Sequence, residues 1–431
     1  MYKTILIGGI NRSGGSLLQR LFDGHPKVAS YPLEFSFSRD ESFYPIFESY
    51  TGIPLSVPEL TGNESKETLY KLLHLPLEKP TVITEWGKEK SDPLGVRQNY
   101  IEKAFYDNYQ TDFDHDQFFK KIEANRQGVR NFAELFDIRH KAYFSAWDHG
   151  KYSQDAEYVC MHDSSGIYIT NMDVYFREFP GAAFIYPIRD VFGYIASEKT
   201  RLARRYFGSR RFAWPKFPNR LVKMFDQYDL EAQVRAWLVS VTRGALLQEK
   251  FGHTNKFVIY RNENLVQRTE DTMRSLCRVV GLEFSDVLLR PTIAGKPWGG
   301  NSHQGRQDGI SAALATYYPQ VLRQSELDLI SRMTANVTKY LNEINQTPVD
   351  LTNLPREHLL DYGYQKKYFD DKDKIALYSA LVNAPRRRIM IKAPTGIALL
   401  AYLYSKYVRA VHMPRMLKLK WFPGVGKQNY T

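Results

Sequence analysis

The sequence predicts an α/β fold: a doubly wound parallel sheet flanked by helices, with a mainly helical insertion and a basic C-terminal extension. Three observations predict it. An apolar run, Ile5-Leu6-Ile7, opens into Gly8-Gly9-Ile10-Asn11-Arg12-Ser13-Gly14-Gly15-Ser16, after which Leu17, Leu18, Leu21 and Phe22 recur at helical spacing. Short apolar runs at 28–31, 158–161, 183–188 and 257–260 alternate with helix-period segments, the pattern of parallel strands joined by crossover helices. The 431 residues exceed what one compact core usually carries, so one large α/β body with appendages accounts for the length.

Each element has its own signal. The first helix should stop near Gly24-His25-Pro26, because proline disfavours helical backbone in the residue before it. Val28-Ala29-Ser30-Tyr31 then forms a short strand reaching Pro32-Leu33-Glu34. Residues 35–150 lack clean α/β alternation and hold a polar loop from Thr61 to Lys66, helical patterns and many aromatics. They are expected to be an insertion that shapes a ligand pocket. Tyr158-Val159-Cys160-Met161 reads as a buried strand, and a helix through Tyr175-Phe176 ends at Phe179-Pro180-Gly181. Ala183 to Ile188 is the next strand, although Pro187 cannot donate to a ladder. Helices follow from Val191 and over Leu230 to Lys250, then a strand at Phe257 to Tyr260 and a helix from Glu270 to Val280 that Gly281 ends. Residues 1–345 are expected to form the main domain and 346–431 a basic extension.

Ligands in such sheets sit at the carboxyl ends of the strands, which makes the glycine loop the first candidate site. Glycine lets the backbone take positive φ and approach an anion closely. The N–H groups and positive dipole end of the next helix then hold a phosphate. The spacing from Gly9 to Gly14, then Gly15 and Ser16, is that of a P-loop, so the fold is expected to be P-loop-like. The lysine of that motif is missing, since Gly15 stands in its place, and the loop's cation is Arg12. A plain glycine turn is the alternative; strand, glycines, cation and hydroxyl together favour a cradle for a terminal phosphate or phosphosulfate.

A second site runs from Ile185 to Ser197. A strand enters Arg189-Asp190, a helix begins, and Ser197 comes a little over two turns later. Arginine offers a planar fork for phosphate oxygens, and the serine lies near the same face. Taken alone, an Arg-Asp pair after a strand reads as a surface ion pair.

Composition narrows the setting. Cys160 and Cys277 cannot make a disulfide framework, fit a reducing compartment and read as buried structural thiols. No charged n-region with an apolar h-region precedes the first strand, and no apolar run nears 18 residues, so a cytoplasmic location is expected. From Ile375 to Thr431 there is no Asp or Glu, against ten Lys and Arg; the formal +12 less these ten leaves +2 for the rest. Anionic lipid, nucleic acid or an acidic polymer would suit such a tail. With the apolar Ile397 to Tyr404, it is read as a peripheral membrane contact, without a nucleic-acid partner. A helix packed on the core is the rival reading.

The ordered set of motifs resembles the sulfotransferases that use 3′-phosphoadenosine 5′-phosphosulfate (PAPS). That family opens with R-S-G-T-[ST]-L-L and a following H-P; here stand Arg12-Ser13-Gly14-Gly15-Ser16-Leu17-Leu18 and His25-Pro26. Its F-P-x-A-x-F-I-x-x-x-R-D signature, with Ser eight residues past the Arg, is matched by Phe179 to Ile185, Arg189-Asp190 and Ser197. Its strand ending in Y-E-D-L resembles Tyr260-Arg261-Asn262-Glu263-Asn264-Leu265, followed by Gly281-Leu282. A G-x-P-W-x-G-N-S segment is similar to Gly295 to Ser302. The resemblance covers about residues 3–305 and lies closest to the carbohydrate and tyrosylprotein branches.

The resemblance implies roles. Arg12, Ser13, Gly14, Gly15, Ser16 and Leu17 would bind the 5′-phosphosulfate, and Arg189 with Ser197 the 3′-phosphate. Tyr260 would lie near that phosphate or the adenine, Asn301 would take part in donor binding, and Ser302 would help hold the transferring group. Glu34 would take the acceptor's proton, a surface or capping carboxylate being the alternative. Three departures stand out. The usual loop threonine is replaced by Gly15, and His162 falls where many members carry lysine, either to donate to the bridging oxygen or as a neutral hydrogen-bonded histidine. Arg261 also replaces an acidic residue.

Two further clusters carry charge. Eight cations between Arg201 and Lys223 interleave with Tyr206, Phe207, Phe212, Trp214 and Phe217, as a lid or sugar-stacking surface, or as a solvated loop. Asp114-His115-Asp116 reads as an exposed charged turn rather than a metal site. The expectation is a metal-independent sulfotransferase acting on a hydroxyl of a carbohydrate or glycolipid. The rivals are an ATP-dependent small-molecule kinase on the same fold and a non-catalytic polyanion-binding protein.

Overall fold

The computed structural model describes residues 1–34, 114–125, 132–146, 155–163, 172–179, 181–207, 230–293, 295–298, 309–311, 318–322, 324–344 and 346–355. The side chains of 31–34 and 200–207 also lie outside this description. So do the segment 208–229, Asn301, Ser302 and the whole basic tail, together with the expectations placed on them.

Five parallel strands form the sheet: β1 (Lys3–Ile7), β2 (Val28–Glu34), β3 (Tyr158–His162), β4 (Ala183–Ile188) and β5 (Phe257–Arg261), in the order β2-β3-β1-β4-β5. β1 is central and the order reverses on either side of it, the arrangement that opens a crevice at the strands' carboxyl ends. The sheet is α/β and P-loop-like, as the alternation of apolar runs predicts.

Both faces are covered, so the described strand residues are buried except at the ends, at Lys3 and Arg261. Ile5, Ile7, Tyr158, Cys160, Ile185, Val258 and Tyr260 point to one face, under helices α1 (Gly15–Phe22) and α8 (Thr269–Val280). Leu6, Val159, Met161, Phe184, Tyr186 and Ile259 point to the other. That second face is covered by α2 (His115–Asn125), α3 (Phe132–Ala146), α4 (Met172–Glu178), α5 (Val191–Phe207), α6 (Leu230–Phe251) and α9 (Gln324–Glu343). A short α7 (Asn262–Gln267) follows β5 directly, and a small hairpin, β6 (Thr292–Ile293) with β7 (Lys296–Pro297), is antiparallel. Both cysteines are buried free thiols in the first core, where burial pushes their pKa up.

Pro187 sits inside β4 without harm. Ile185 O accepts from Gly8 N at 3.0 Å, so alternate residues of β4 face β1, and Pro187 is the next to do so. β1 pairs only as far as Ile185, so the missing N–H of Pro187 falls beyond the partner strand. The C-terminal tie is equally local: Val349 N donates to Ile259 O at 2.8 Å, and Val349, Leu351 and Leu354 are buried. The core therefore takes in residues beyond 345, the expected boundary.

The described part of the insertion packs into the core. Phe118, Phe119, Phe136 and Phe144 are buried, and Asp137 Oδ1 accepts from the Tyr2 backbone N–H at 2.5 Å, at the amino end of β1. The expected pocket-shaping role of the insertion lies outside the described residues. Asp114 caps α2, its Oδ1 accepting from Gln117 N at 2.9 Å, which accounts for the Asp-His-Asp triplet structurally.

Candidate active site

The carboxyl edge of the sheet lines up the predicted residues in space. Glu34 is the last residue of β2 and pairs in register with His162, the last of β3; His162 pairs with Ile7, the last of β1. On the other side β4 ends at Ile188, next to Arg189, and β5 ends at Arg261, next to Asn262. Glu34, His162, the glycine loop, Arg189 and Asn262 thus follow one another across one edge.

The loop is a tight structure built on strained positions. Gly9 and Gly14 have φ of 95° and 99°, and Arg12 takes φ of 68°, a left-handed backbone that costs a non-glycine residue free energy. Ser13 N donates to Ile10 O at 3.3 Å, and the first helical bond runs from Leu18 N to Gly14 O at 3.1 Å. No side chain caps α1, and its first turn has no acidic residue. The N–H groups of Gly15, Ser16 and Leu17 therefore precede the intrahelical ladder. Ser13 is 1% exposed and its Oγ has no hydrogen-bond partner among the described residues. Uncapped N–H groups beside an unsatisfied buried hydroxyl suit an anion with several oxygens.

Arg189 is fixed from three sides. Its Nη1 donates to the Arg12 carbonyl at 3.0 Å, and its own carbonyl accepts from Trp237 Nε1 at 2.8 Å. Its guanidinium lies over Gly193, where a Cβ would come within 3.1 Å of Nε. Ser197 stands one turn further along that face of α5 and is partly exposed. The Arg–Ser pair inferred from spacing therefore shares a surface. Asp190 starts the helix: its Oδ2 accepts from Gly193 N at 2.9 Å and its carbonyl from Tyr194 N. Burial raises the Asp190 pKa, more than its hydrogen bond from Gly193 lowers it.

Four neighbours escaped the sequence reading. Glu198 is buried and its Oε2 lies 3.6 Å from Arg12 Nε, so the loop cation has a carboxylate beside it. Asn262 packs on the loop so closely that a Cβ on Gly14 would be 1.9 Å from its Oδ1, a contact only glycine allows. Gly193 and Trp237 shape the seat of Arg189. Glu198 follows Ser197 directly and Asn262 follows a strand end, so position was the only available signal.

Tyr260 is not brought to the surface of the site. Its ring is fully buried in the core under α1 and α8, burial raises its pKa well above the ordinary value, and its hydroxyl has no partner among the described residues. Arg261 faces α9: Nη1 donates to Leu341 O at 2.5 Å, and Nε lies 3.5 Å from Glu263 Oε2. Glu263 Oε1 accepts from Asp190 N at 3.1 Å, so the carboxylate tying β5 to β4 comes two residues later than Arg261.

On the other side of the loop, His162 is 5% exposed and its Nδ1 lies 3.5 Å from Ser16 Oγ. Its ring lies against Gly15. Glu34 is placed by its backbone beside His162, its side chain being outside the description. His25 serves the fold: its Nδ1 accepts from Lys27 N at 3.2 Å and its Nε2 faces Glu283 O at 3.1 Å.

A model of the sulfotransferase family matches residues 4–286, which span all five strands and every described residue of the site. Among solved structures, the sulfotransferase domain from the Synechococcus PCC 7002 olefin synthase is 15% identical, with 78% of this chain and 95% of that chain covered and a TM-score of 0.39. The sulfotransferase domain from the curacin biosynthetic pathway is 14% identical, covering 78% of this chain and 98% of that one, with a TM-score of 0.39. A search of curated proteins returns no match. With the family match extending over more than half of its length, from the first strand through the helix after the fifth, the chain belongs to the sulfotransferase family.

Proposed function

We propose that this chain transfers the sulfuryl group of PAPS to a hydroxyl of a carbohydrate or glycolipid. The observation that carries the reading is the bond from Arg189 Nη1 to the Arg12 carbonyl at 3.0 Å. It fastens one candidate oxyanion clamp to the other, as an adenosine nucleotide charged at both ends requires. PAPS, when bound, supplies a sulfuryl group already activated by its phosphate leaving group.

The residues divide the remaining tasks. Ser13 and the N–H groups at Gly14, Gly15, Ser16 and Leu17 bind the phosphosulfate, and Arg189 with Ser197 binds the 3′-phosphate. Glu34 accepts the proton of the acceptor hydroxyl. Arg12, His162 and Ser302 stabilise the charge that moves onto the sulfuryl and leaving oxygens, and Asn301 helps to bind the donor. In such in-line transfers positioning and electrostatic preorganisation supply most of the rate enhancement. The scheme uses no metal.

The acceptor class rests on the aromatic insertion and on the cationic, aromatic run from Arg201 to Lys223. A cytoplasmic enzyme with its basic tail on a membrane surface would meet lipid-linked acceptors, and the reading includes no nucleic-acid partner. Co-sedimentation with anionic vesicles, comparing the full chain with one ending at residue 355, tests the tail. Equal binding by both removes it from the reading.

The decisive experiment incubates the protein with radiolabelled PAPS and a panel of glycan, glycolipid and peptide acceptors. Label should move to a carbohydrate hydroxyl without added magnesium. Calorimetric binding of adenosine 3′,5′-bisphosphate with no transfer to any acceptor would favour a non-catalytic anion binder. Magnesium-dependent ATP turnover would favour a kinase.

A further inference from the structure

We propose that Gly15 and His162 are a matched pair: the imidazole fills the space of the absent side chain at 15 and presents an N–H to the leaving oxygen of the donor. This rests on the donor reading above and assigns the role of one of its residues. The starting point is that Gly15 has no backbone reason to be glycine. Its φ is not among the positive values of the chain, unlike Gly9 and Gly14, and it is the first residue of α1. Alanine would be the better helix former.

Space is what excludes a side chain. A Cβ on Gly15 would lie 2.3 Å from His162 Nε2, 2.4 Å from Cδ2 and 3.1 Å from Cε1. Contacts that short do not persist, and the ring is poorly placed to retreat. His162 is 5% exposed and ends β3, with its backbone in register between Ile7 and Glu34. Its other nitrogen, Nδ1, lies 3.5 Å from Ser16 Oγ. Both ring nitrogens are thus held against the first turn of α1, where the uncapped N–H groups gather.

The chemistry needs only a neutral imidazole. As the acceptor oxygen bonds to sulfur, the bond from sulfur to the bridging phosphate oxygen breaks and leaves its electron pair there. The acceptor's proton passes to the carboxylate base. His162 keeps its own proton and stabilises the new charge by a hydrogen bond. One such preorganised donor is worth ~10²–10³ in kcat.

A double-mutant cycle tests the pair: wild type, Gly15→Ala, His162→Ala and the double variant. Each is measured for unfolding midpoint, affinity for adenosine 3′,5′-bisphosphate and turnover of PAPS. Gly15→Ala alone should lower the midpoint and weaken binding by at least ~10-fold, whereas adding it to His162→Ala should change both little, a coupling expected only between touching residues. His162→Ala alone should keep binding within a few-fold and lose ~10²-fold in kcat. Equal penalties for Gly15→Ala in both backgrounds would overturn the pairing, and an unchanged kcat in His162→Ala would overturn the catalytic role. If Gly15→Ala does not fold, a folded double variant supports the pairing and an unfolded one overturns it. Wild type that fails to bind the bisphosphate would refute the donor reading and with it the catalytic role, while the unfolding midpoints still report on the pair.

Discussion

Arg189 Nη1 donates to the main-chain carbonyl of Arg12 at 3.0 Å, so the arginine after β4 holds the glycine loop by its backbone. The contact closes a ring, because Arg12 Nε in turn lies 3.6 Å from Glu198 Oε2 on α5, the helix that Arg189 precedes. Movement of either arginine is transmitted to the other. Arg12 is also the loop residue held at φ of 68°, a conformation that the surrounding bonds must enforce.

Arg189→Lys should therefore be far from conservative. A lysine ammonium cannot both reach the Arg12 carbonyl and present a planar fork. Binding of adenosine 3′,5′-bisphosphate should weaken by ~10–100-fold, the cost of one or two charge-assisted hydrogen bonds. Adenosine 5′-monophosphate, which lacks the 3′-phosphate, should be affected far less. Calorimetry with both nucleotides checks this; an equal loss for the two would remove Arg189 from the 3′-phosphate site.

Gly14→Ala should be damaging for a different reason from a change at Gly15. At φ of 99° the left-handed backbone itself penalises a Cβ, and Asn262 Oδ1 stands 1.9 Å from where it would lie. The backbone part alone is about 1–2 kcal/mol. Asn262→Ala should relieve the crowding and leave the backbone penalty, so the double variant should recover stability only in part. Full recovery in chemical denaturation would show that φ is not the constraint.

Much of this arrangement was legible in residue order. The strand, glycine loop and helix at 5–22 announce themselves through apolar spacing, and Arg189 with Ser197 through their separation after a strand. What joins them was not legible, because Glu198 to Arg12 and Asn262 to Gly14 span 186 and 248 positions and leave no periodic trace. Tyr260 illustrates the converse. Its place in a motif pointed to the nucleotide, whereas the alternation of β5 turns the ring into the core; the residue that meets the loop is Asn262, where the strand has ended and α7 begins. Pro187 argued against a strand only because the end of β1 cannot be seen from β4's own sequence.

Lys199 and Glu326 give a stability prediction. Their side chains are 0% and 7% exposed, Nζ lies 2.6 Å from Oε2, and Nζ also donates to Val321 O at 2.9 Å, fastening α5 to α9. Lys199→Met leaves a buried carboxylate without its cation, a loss of about 3–5 kcal/mol in unfolding free energy. Replacing both, as Lys199→Met with Glu326→Leu, should recover most of it, since the pair's desolvation cost disappears with its attraction. Urea unfolding of the three proteins is the check. A double variant no more stable than Lys199→Met would mean that the salt bridge itself contributes the stability.

His25 gives the pH prediction. Burial lowers its pKa below the ordinary 6.5, outweighing the opposite effect of the Glu283 carbonyl. The neutral ring accepts from Lys27 N through Nδ1 and, as the Nε2–H tautomer, donates to Glu283 O. The folded chain therefore binds this proton less readily than the unfolded one. Its contribution is fully present above pH 6.5 and is lost as the pH falls from there through the lowered value. His25→Asn should be less stable than wild type at pH 8, because two hydrogen bonds of ~1 kcal/mol each are disturbed. The gap should narrow as the pH is lowered below 6.5, where only wild type must protonate a ring that the fold holds neutral. Thermal unfolding of both proteins from pH 8 to pH 5 measures it, and a gap independent of pH would show that His25 is already charged in the folded state or does not titrate in this range.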